Sequence, residues 1–191
     1  MITTDMHVHS CFSSDCEAPV EAMLEEAKKR GFSSFYLTDH MDYDYPENAE
    51  GLDFLFEPEE YFKALEGMEK KYGGSLRIYP SIELGLKPEL KEDYQKLIDS
   101  YPFDFVIGST HLIKNQDPYY PDFWLNRREE EVIASYFEQV LENLRAFPKF
   151  NSLGHLDYII RYAPSKKTDY HYATYQYYLE EILKLLIQQG I

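Results

Sequence analysis

The chain has 191 residues, 44% hydrophobic and 16% aromatic, enough to bury the core of one domain and too apolar for disorder. Its 34 Asp and Glu against 19 Lys and Arg leave a net charge of −15, which excludes nucleic acid or an anionic membrane surface as a general partner, because both demand a basic face. No apolar run reaches the roughly 18 residues of a membrane span, and the amino terminus lacks a basic segment followed by an apolar one, so the expected location is the cytoplasm.

Taken in order, short apolar runs alternate with longer helix-like segments, the pattern of repeated βα units around a mostly parallel sheet. A first strand is expected near Ile2 to Val8, then a loop holding the only cysteines, Cys11 and Cys16. Two thiols are too few for a disulfide framework and are spaced unlike common zinc knuckles, so they read as reduced. A helix from about Pro19 to Arg30 has Pro in its first turn and Gly31 as its stop. Phe35-Tyr36-Leu37 reads as a second strand, and a polar and aromatic insertion, Asp42 to Glu57, leads to a helix near Pro58 to Tyr72. The Gly73-Gly74 break releases a third strand ending around Glu83-Leu84, followed by a helix from Glu89 to Asp99. Phe103 to Ile107 is the fourth strand, a loop rich in Asp, Pro and Tyr runs to Asn126, and Arg128 to Phe147 is a long amphipathic helix. Ser152 to Leu156 is the fifth strand, and Tyr170 to Gln189 a last helix stopped by Gly190, with Ile191 reading as the start of another strand.

The histidines share one placement. His7 and His9 lie two apart on the first strand, so their side chains project to the same side and both rings can reach one ion. Such a pair is weak evidence alone, but His40 ends the second strand, Glu83 the third, His111 follows the fourth and His155 closes the fifth. In parallel α/β folds the carboxyl ends of strands converge on the active site, which makes neighbours of residues far apart in sequence. Each of these histidines taken singly reads as an ordinary polar ring; together they point to a metal cluster. His171, in the Tyr-rich start of the last helix, reads as a surface residue. Imidazole with carboxylate suits zinc, iron or manganese in a catalytic rather than a purely structural site. Glu83, with two oxygens, can bridge two ions. Asp15 is either another ligand or a capping or solvated loop carboxylate.

The His7/His9 pair, Asp15, Thr38-Asp39-His40, Glu83 in Ile-Glu-Leu-Gly, Gly108-Ser109-Thr110-His111 and Gly154-His155-Leu156-Asp157-Tyr158 resemble the polymerase-and-histidinol-phosphatase superfamily. The Asp42-Tyr43-Asp44-Tyr45-Pro46 insertion, the Asp117-Pro118-Tyr119-Tyr120 loop and Arg161-Tyr162 resemble its histidinol-phosphate phosphatase branch. The resemblance spans the chain and implies an α/β fold, a distorted (β/α)7 TIM-like barrel, here truncated to about its first five βα units. It also implies a centre of two to three divalent transition-metal ions: one on His7, His9 and Glu83, a second on Glu83, His111 and His155, a third on Asp15 and His40. In the family an Asp and a His from a later Gly-Ser-Asp-Ala-His segment complete the set, and residues 1–191 contain no such segment. The chain is therefore expected to be an amino-terminal portion of a phosphoesterase domain, of doubtful activity by itself, and its open barrel edge predicts self-association.

The implied reaction is hydrolysis of L-histidinol phosphate to L-histidinol and phosphate in histidine biosynthesis. The competing readings are a phosphoesterase of another substrate, such as a nucleotide or phosphotyrosine, and a non-catalytic metal-binding domain. Arg161 can grip a phosphate in bidentate fashion or serve as a surface ion-pair partner. Asp39 and Asp157 can orient ligand imidazoles or act as turn carboxylates. The acidic loop at Asp42 suits the amine and imidazole of the substrate, or packs over the barrel mouth.

Overall fold

The computed structural model describes residues 2–48, 50–166 and 171–191. The elements in order are β1 (Thr4–Val8), α1 (Val20–Lys29), β2 (Ser34–Met41), α2 (Pro58–Tyr72), β3 (Arg77–Gly85), α3 (Lys91–Ser100), β4 (Phe105–Ser109), α4 (Glu129–Ala146), β5 (Ser152–Leu153), α5 (Tyr158–Tyr162) and α6 (Tyr172–Gln189). The strands hydrogen-bond in chain order, β1-β2-β3-β4-β5. The chain forms two compact units, Met1–Leu84 with Asp93–Ile107, and Gly85–Glu92 with Gly108–Ile191.

In the first unit, β1 pairs in parallel with β2, and β2 with β3. Helix α1 turns Val20, Leu24 and Ala27 inward at helical spacing, and Gly31 ends it at φ +79°, where a side chain would be strained. Burying a side chain such as Leu24, Leu37 or Leu65 contributes roughly 1.5–3 kcal/mol, and all three are fully buried here. Pro80 lies within β3, between β2 and β4, where a ladder N–H is missing. Beside it the Tyr61 hydroxyl of α2 shares its proton between the carbonyls of Leu37, at 2.6 Å, and Ser81, at 2.9 Å, and accepts from the Ser81 N–H at 3.2 Å. Burial pushes the Tyr61 phenol well above its ordinary pKa, so it remains a donor.

In the second unit, α6 packs on α4, with Phe137 against Tyr175 and Tyr178 at ring separations of 5.5 and 6.3 Å. Gly108 has no room for a side chain: a Cβ there would stand 2.8 Å from the Phe150 ring and 2.9 Å from a Leu86 methyl. That contact explains the glycine two residues before Thr110 and three before His111.

Most boundaries agree with the sequence to within two residues, and the departures have local causes. The fourth strand begins at Phe105 rather than Phe103, whose N–H is turned back onto the Tyr101 carbonyl at 2.9 Å. The fifth is only Ser152–Leu153, so His155 lies beyond it rather than closing it. Arg161 lies in a short helix, α5. The Ile191 N–H donates to the Leu186 carbonyl across Gly190 at φ +76°, which caps α6. The expected start of that helix, Tyr170, lies outside the described residues. No helix among the described residues is long and apolar enough to cross a membrane.

The Tyr61 hydroxyl serves buried polar groups on two strands at once. Tyr61→Phe should therefore lower unfolding stability by about 1–3 kcal/mol, measured by urea denaturation with an unchanged slope against denaturant.

Candidate metal centre

Parallel register places His40 directly opposite Glu83, so ring and carboxylate emerge side by side at the ends of β2 and β3. His7 on β1 and His9 just past it bring two further imidazoles, their ring centroids 5.3 Å apart, while His9 and His40 stand at 4.3 Å. Glu83 is fully buried. Its Oε2 lies 3.1 Å from His7 Nε2, 2.9 Å from His9 Nε2 and 3.5 Å from His40 Nδ1. Asp15 reaches the same cluster from the loop after β1, 3.1 Å from His9 Nδ1 and 3.6 Å from His40 Nε2.

Three ring nitrogens crowding one oxygen is poor hydrogen-bond geometry and good ligand geometry. His9 Nε2 shows this directly: it is buried 2.9 Å from Glu83 Oε2, yet among the described residues its orientation gives it no hydrogen bond. Within the first unit, two donor sets have one ligand atom from each member within 4.8 Å of the others: His7, His9 and Glu83, and His9, Asp15 and His40. The donors are imidazole and carboxylate, without thiolate, as an ion such as zinc, iron or manganese requires. The residues fit a divalent ion.

The electrostatics agree. Burial works against the charged form of His9, but the carboxylates of Asp15 and Glu83 beside the ring outweigh it and raise the imidazole to about 9. His40 is raised to about 9 as well, its burial overcome by the charge of Asp42 and the hydrogen bond to Asp15. Burial would raise Asp15, yet His40 and His9 hold its carboxyl well below the ordinary range. A pair of bound protons thus supplies, in the metal-free protein, positive charge that an ion would otherwise bring.

Asp42, which the sequence offered as a substrate contact or a residue packed over the barrel mouth, is buried, with Oδ1 3.3 Å from His40 Nδ1. Asp39, also buried, places its carboxylate on Ser10 and Ser13 of the loop after β1. Arg161 is exposed on α5. In the second unit His111 and His155 come together, with ring centroids 5.3 Å apart and Tyr158 packed on both. Helix α4 holds both segments: Asn143 donates to Thr110 Oγ1 at 2.8 Å, and the Tyr136 hydroxyl donates to the His155 carbonyl at 3.2 Å. The sequence reading passed over Tyr136 and Asn143, although a polar Asn within the apolar stripe of α4 is the kind of signal that could have found it.

A protein-family model described as the PHP domain matches residues 5–191. The chain belongs to the PHP domain family. A "Probable histidinol-phosphatase" of Clostridium acetobutylicum is 32% identical over 187 residues, covering 98% of this chain and 70% of that protein. The "Histidinol-phosphatase" of Lactococcus lactis is 33% identical over 183 residues, and the PHP chain spans 66% of its length. A crystal structure of a Lactococcus lactis histidinol phosphate phosphatase, complexed with zinc, L-histidinol and phosphate, superposes with a TM-score of 0.91 over 98% of this chain and 70% of the other, at 32% identity. A putative histidinol phosphatase from Listeria monocytogenes, 17% identical, shares the fold with a TM-score of 0.82. The fold class is therefore the α/β, TIM-like barrel type expected from the sequence, of which the described residues of this PHP chain carry five strands.

Because the metal-free pKa of His9 and of His40 is about 9, an ion arriving at pH 7 must displace their protons. Adding zinc at pH 7 should release about two protons per chain, and each displaced proton weakens apparent affinity about tenfold per pH unit as pH falls from 9 toward 7. Release should fade above pH 9, where the rings are already neutral. Calorimetry in buffers of different ionisation enthalpy checks both. For the metal-free chain the raised values mean stability that is complete below the unfolded value of 6.5 and lost as pH rises through about 9.

Proposed function

We propose that this chain carries metal-binding machinery of a phosphomonoesterase that hydrolyses L-histidinol phosphate to L-histidinol and phosphate. The observation that supports it most is the convergence of His7, His9, His40 and Asp15 around Glu83, in a PHP chain similar to a phosphatase solved with zinc, L-histidinol and phosphate. In this reading His7, His9 and Glu83 hold one divalent ion and Asp15 and His40 help to hold another, while His111 and His155 offer a further ligand pair in the second unit. Bound ions supply a hydroxide at neutral pH and neutralise charge on the phosphoryl oxygens.

The protein's own groups set the conditions for that chemistry. Glu83, buried among imidazoles, fixes where positive charge is held, and in a chain of net charge −15 that local inversion of the field is what admits a phosphate. Asp42 holds the His40 ring from behind. Phe54 and Tyr45 close over His40, at ring separations of 5.2 Å for His40–Phe54 and 4.7 Å for Tyr45–Phe54, and so shield one side of the cluster from water. Arg161, exposed on α5 one residue before Tyr162, remains the proposed phosphate grip, its guanidinium able to bond two oxygens at once.

Turnover of L-histidinol phosphate by the zinc-reconstituted protein tests the reading. Glu83→Gln and His9→Ala should each lower kcat by about a hundredfold or more, since even partners that merely orient a ligand cost 10–100-fold. Faster turnover of a nucleoside monophosphate or phosphotyrosine would move the substrate assignment elsewhere, and an unimpaired Glu83→Gln would end it.

A further inference from the structure

Asp39 is the most completely enclosed carboxylate beside the centre, and all of its hydrogen bonds run to one loop. It accepts the Ser10 N–H at 2.6 Å, the Ser10 hydroxyl at 2.9 Å and the Ser13 hydroxyl at 2.9 Å. Ser13 Oγ in turn accepts the backbone N–H of His40 at 2.8 Å, which stitches the loop to the end of β2. Within the loop, Ser13 N–H bonds the Ser10 carbonyl at 2.9 Å and Cys16 N–H bonds the Ser13 carbonyl at 3.1 Å. Asp15 sits between the tied residues Ser13 and Cys16. Its own side chain is 41% exposed, and the hydrogen bond and ion pairs recorded for it run to His9 and His40. Its place is therefore set by the backbone beneath it, and that backbone is anchored on Asp39.

We propose that Asp39 is a positioning residue which, through Ser10 and Ser13, presents the Asp15 carboxylate to His9 and His40. The inference rests on the reading of this cluster as a metal centre. An imidazole is not what Asp39 orients: its oxygens are occupied by the two serines, whereas His40 is backed by Asp42. The loop needs an acceptor at position 39 more than it needs a charge. Asparagine keeps one oxygen for the Ser10 N–H and Ser13 hydroxyl and can donate its amide to Ser10 Oγ, so it should rescue what alanine loses.

Zinc content per chain, measured by elemental analysis after equilibration against a competing chelator, separates the possibilities. Asp15→Ala and Asp39→Ala should each lose about one equivalent, or bind it 10–100-fold more weakly. Asp39→Asn should lose little, and the Asp15→Ala/Asp39→Ala pair should bind no worse than Asp15→Ala alone, because two changes acting through one ligand are not additive. Should Asp39→Ala fail to fold, Ser13→Ala takes its place in the same cycle. Full zinc content in a folded Asp39→Ala variant, or equal further loss in the Asp15→Ala background, overturns the proposal. Zinc-free wild-type protein would instead overturn the metal reading beneath it, and the assigned role with it.

Discussion

Glu83 has no contact with solvent, and three imidazoles stand 2.9–3.5 Å from one of its oxygens. A buried carboxylate is costly unless positive charge is held beside it, and that requirement organises the first unit. In the metal-free protein the charge is protonic, carried on His9 and His40, each raised to about 9. In the proposed metal-bound state the same nitrogens would serve as ligands. Either way the cluster works as a cation trap in a strongly acidic chain.

The trap exists because of strand register. His40 opposes Glu83 across β2 and β3, and a few residues earlier in the same ladder the Tyr61 hydroxyl bridges the two strands, donating to the Leu37 carbonyl and accepting the Ser81 N–H. The hydrogen bonding that secures the sheet thus lies two to three residues from His40 and Glu83. Asp39, one residue before His40, points away from the cluster into the serine loop, as the two-residue period of a strand requires. Successive residues of one strand therefore do different work: Asp39 shapes the loop, and His40 enters the site.

The second unit repeats the principle with a helix as the brace. Asn143 and Tyr136, seven residues apart and so on one face of α4, hold Thr110 and the His155 carbonyl. Gly108 lets β4 approach Phe150 and Leu86 more closely than any side chain allows. His111 and His155 are brought together by these contacts, and Tyr158 lies against both rings.

Much of this was legible in the sequence because it depends on local rules. A two-residue period puts His7 and His9 on one side, glycines and prolines punctuate the helices, and strand ends are where α/β folds collect functional groups. The residues His7, His9, Asp15, His40 and Glu83 could be picked out on those grounds and on the family resemblance. The roles of Asp39, Asp42, Tyr61, Tyr136 and Asn143 could not, since each is defined by a partner distant in sequence or by the direction in which a short side chain points. Asp39 and Asp42 are both acids beside His40, yet one is claimed by serines 26 and 29 residues earlier and the other by the imidazole two residues before it. The sequence by itself determined which groups could bind an ion and that they would lie at strand ends. Only the tertiary structure decided which carboxylate touches the rings and which braces the loop, because hydrogen-bond direction is settled by three-dimensional proximity and not by spacing along the chain.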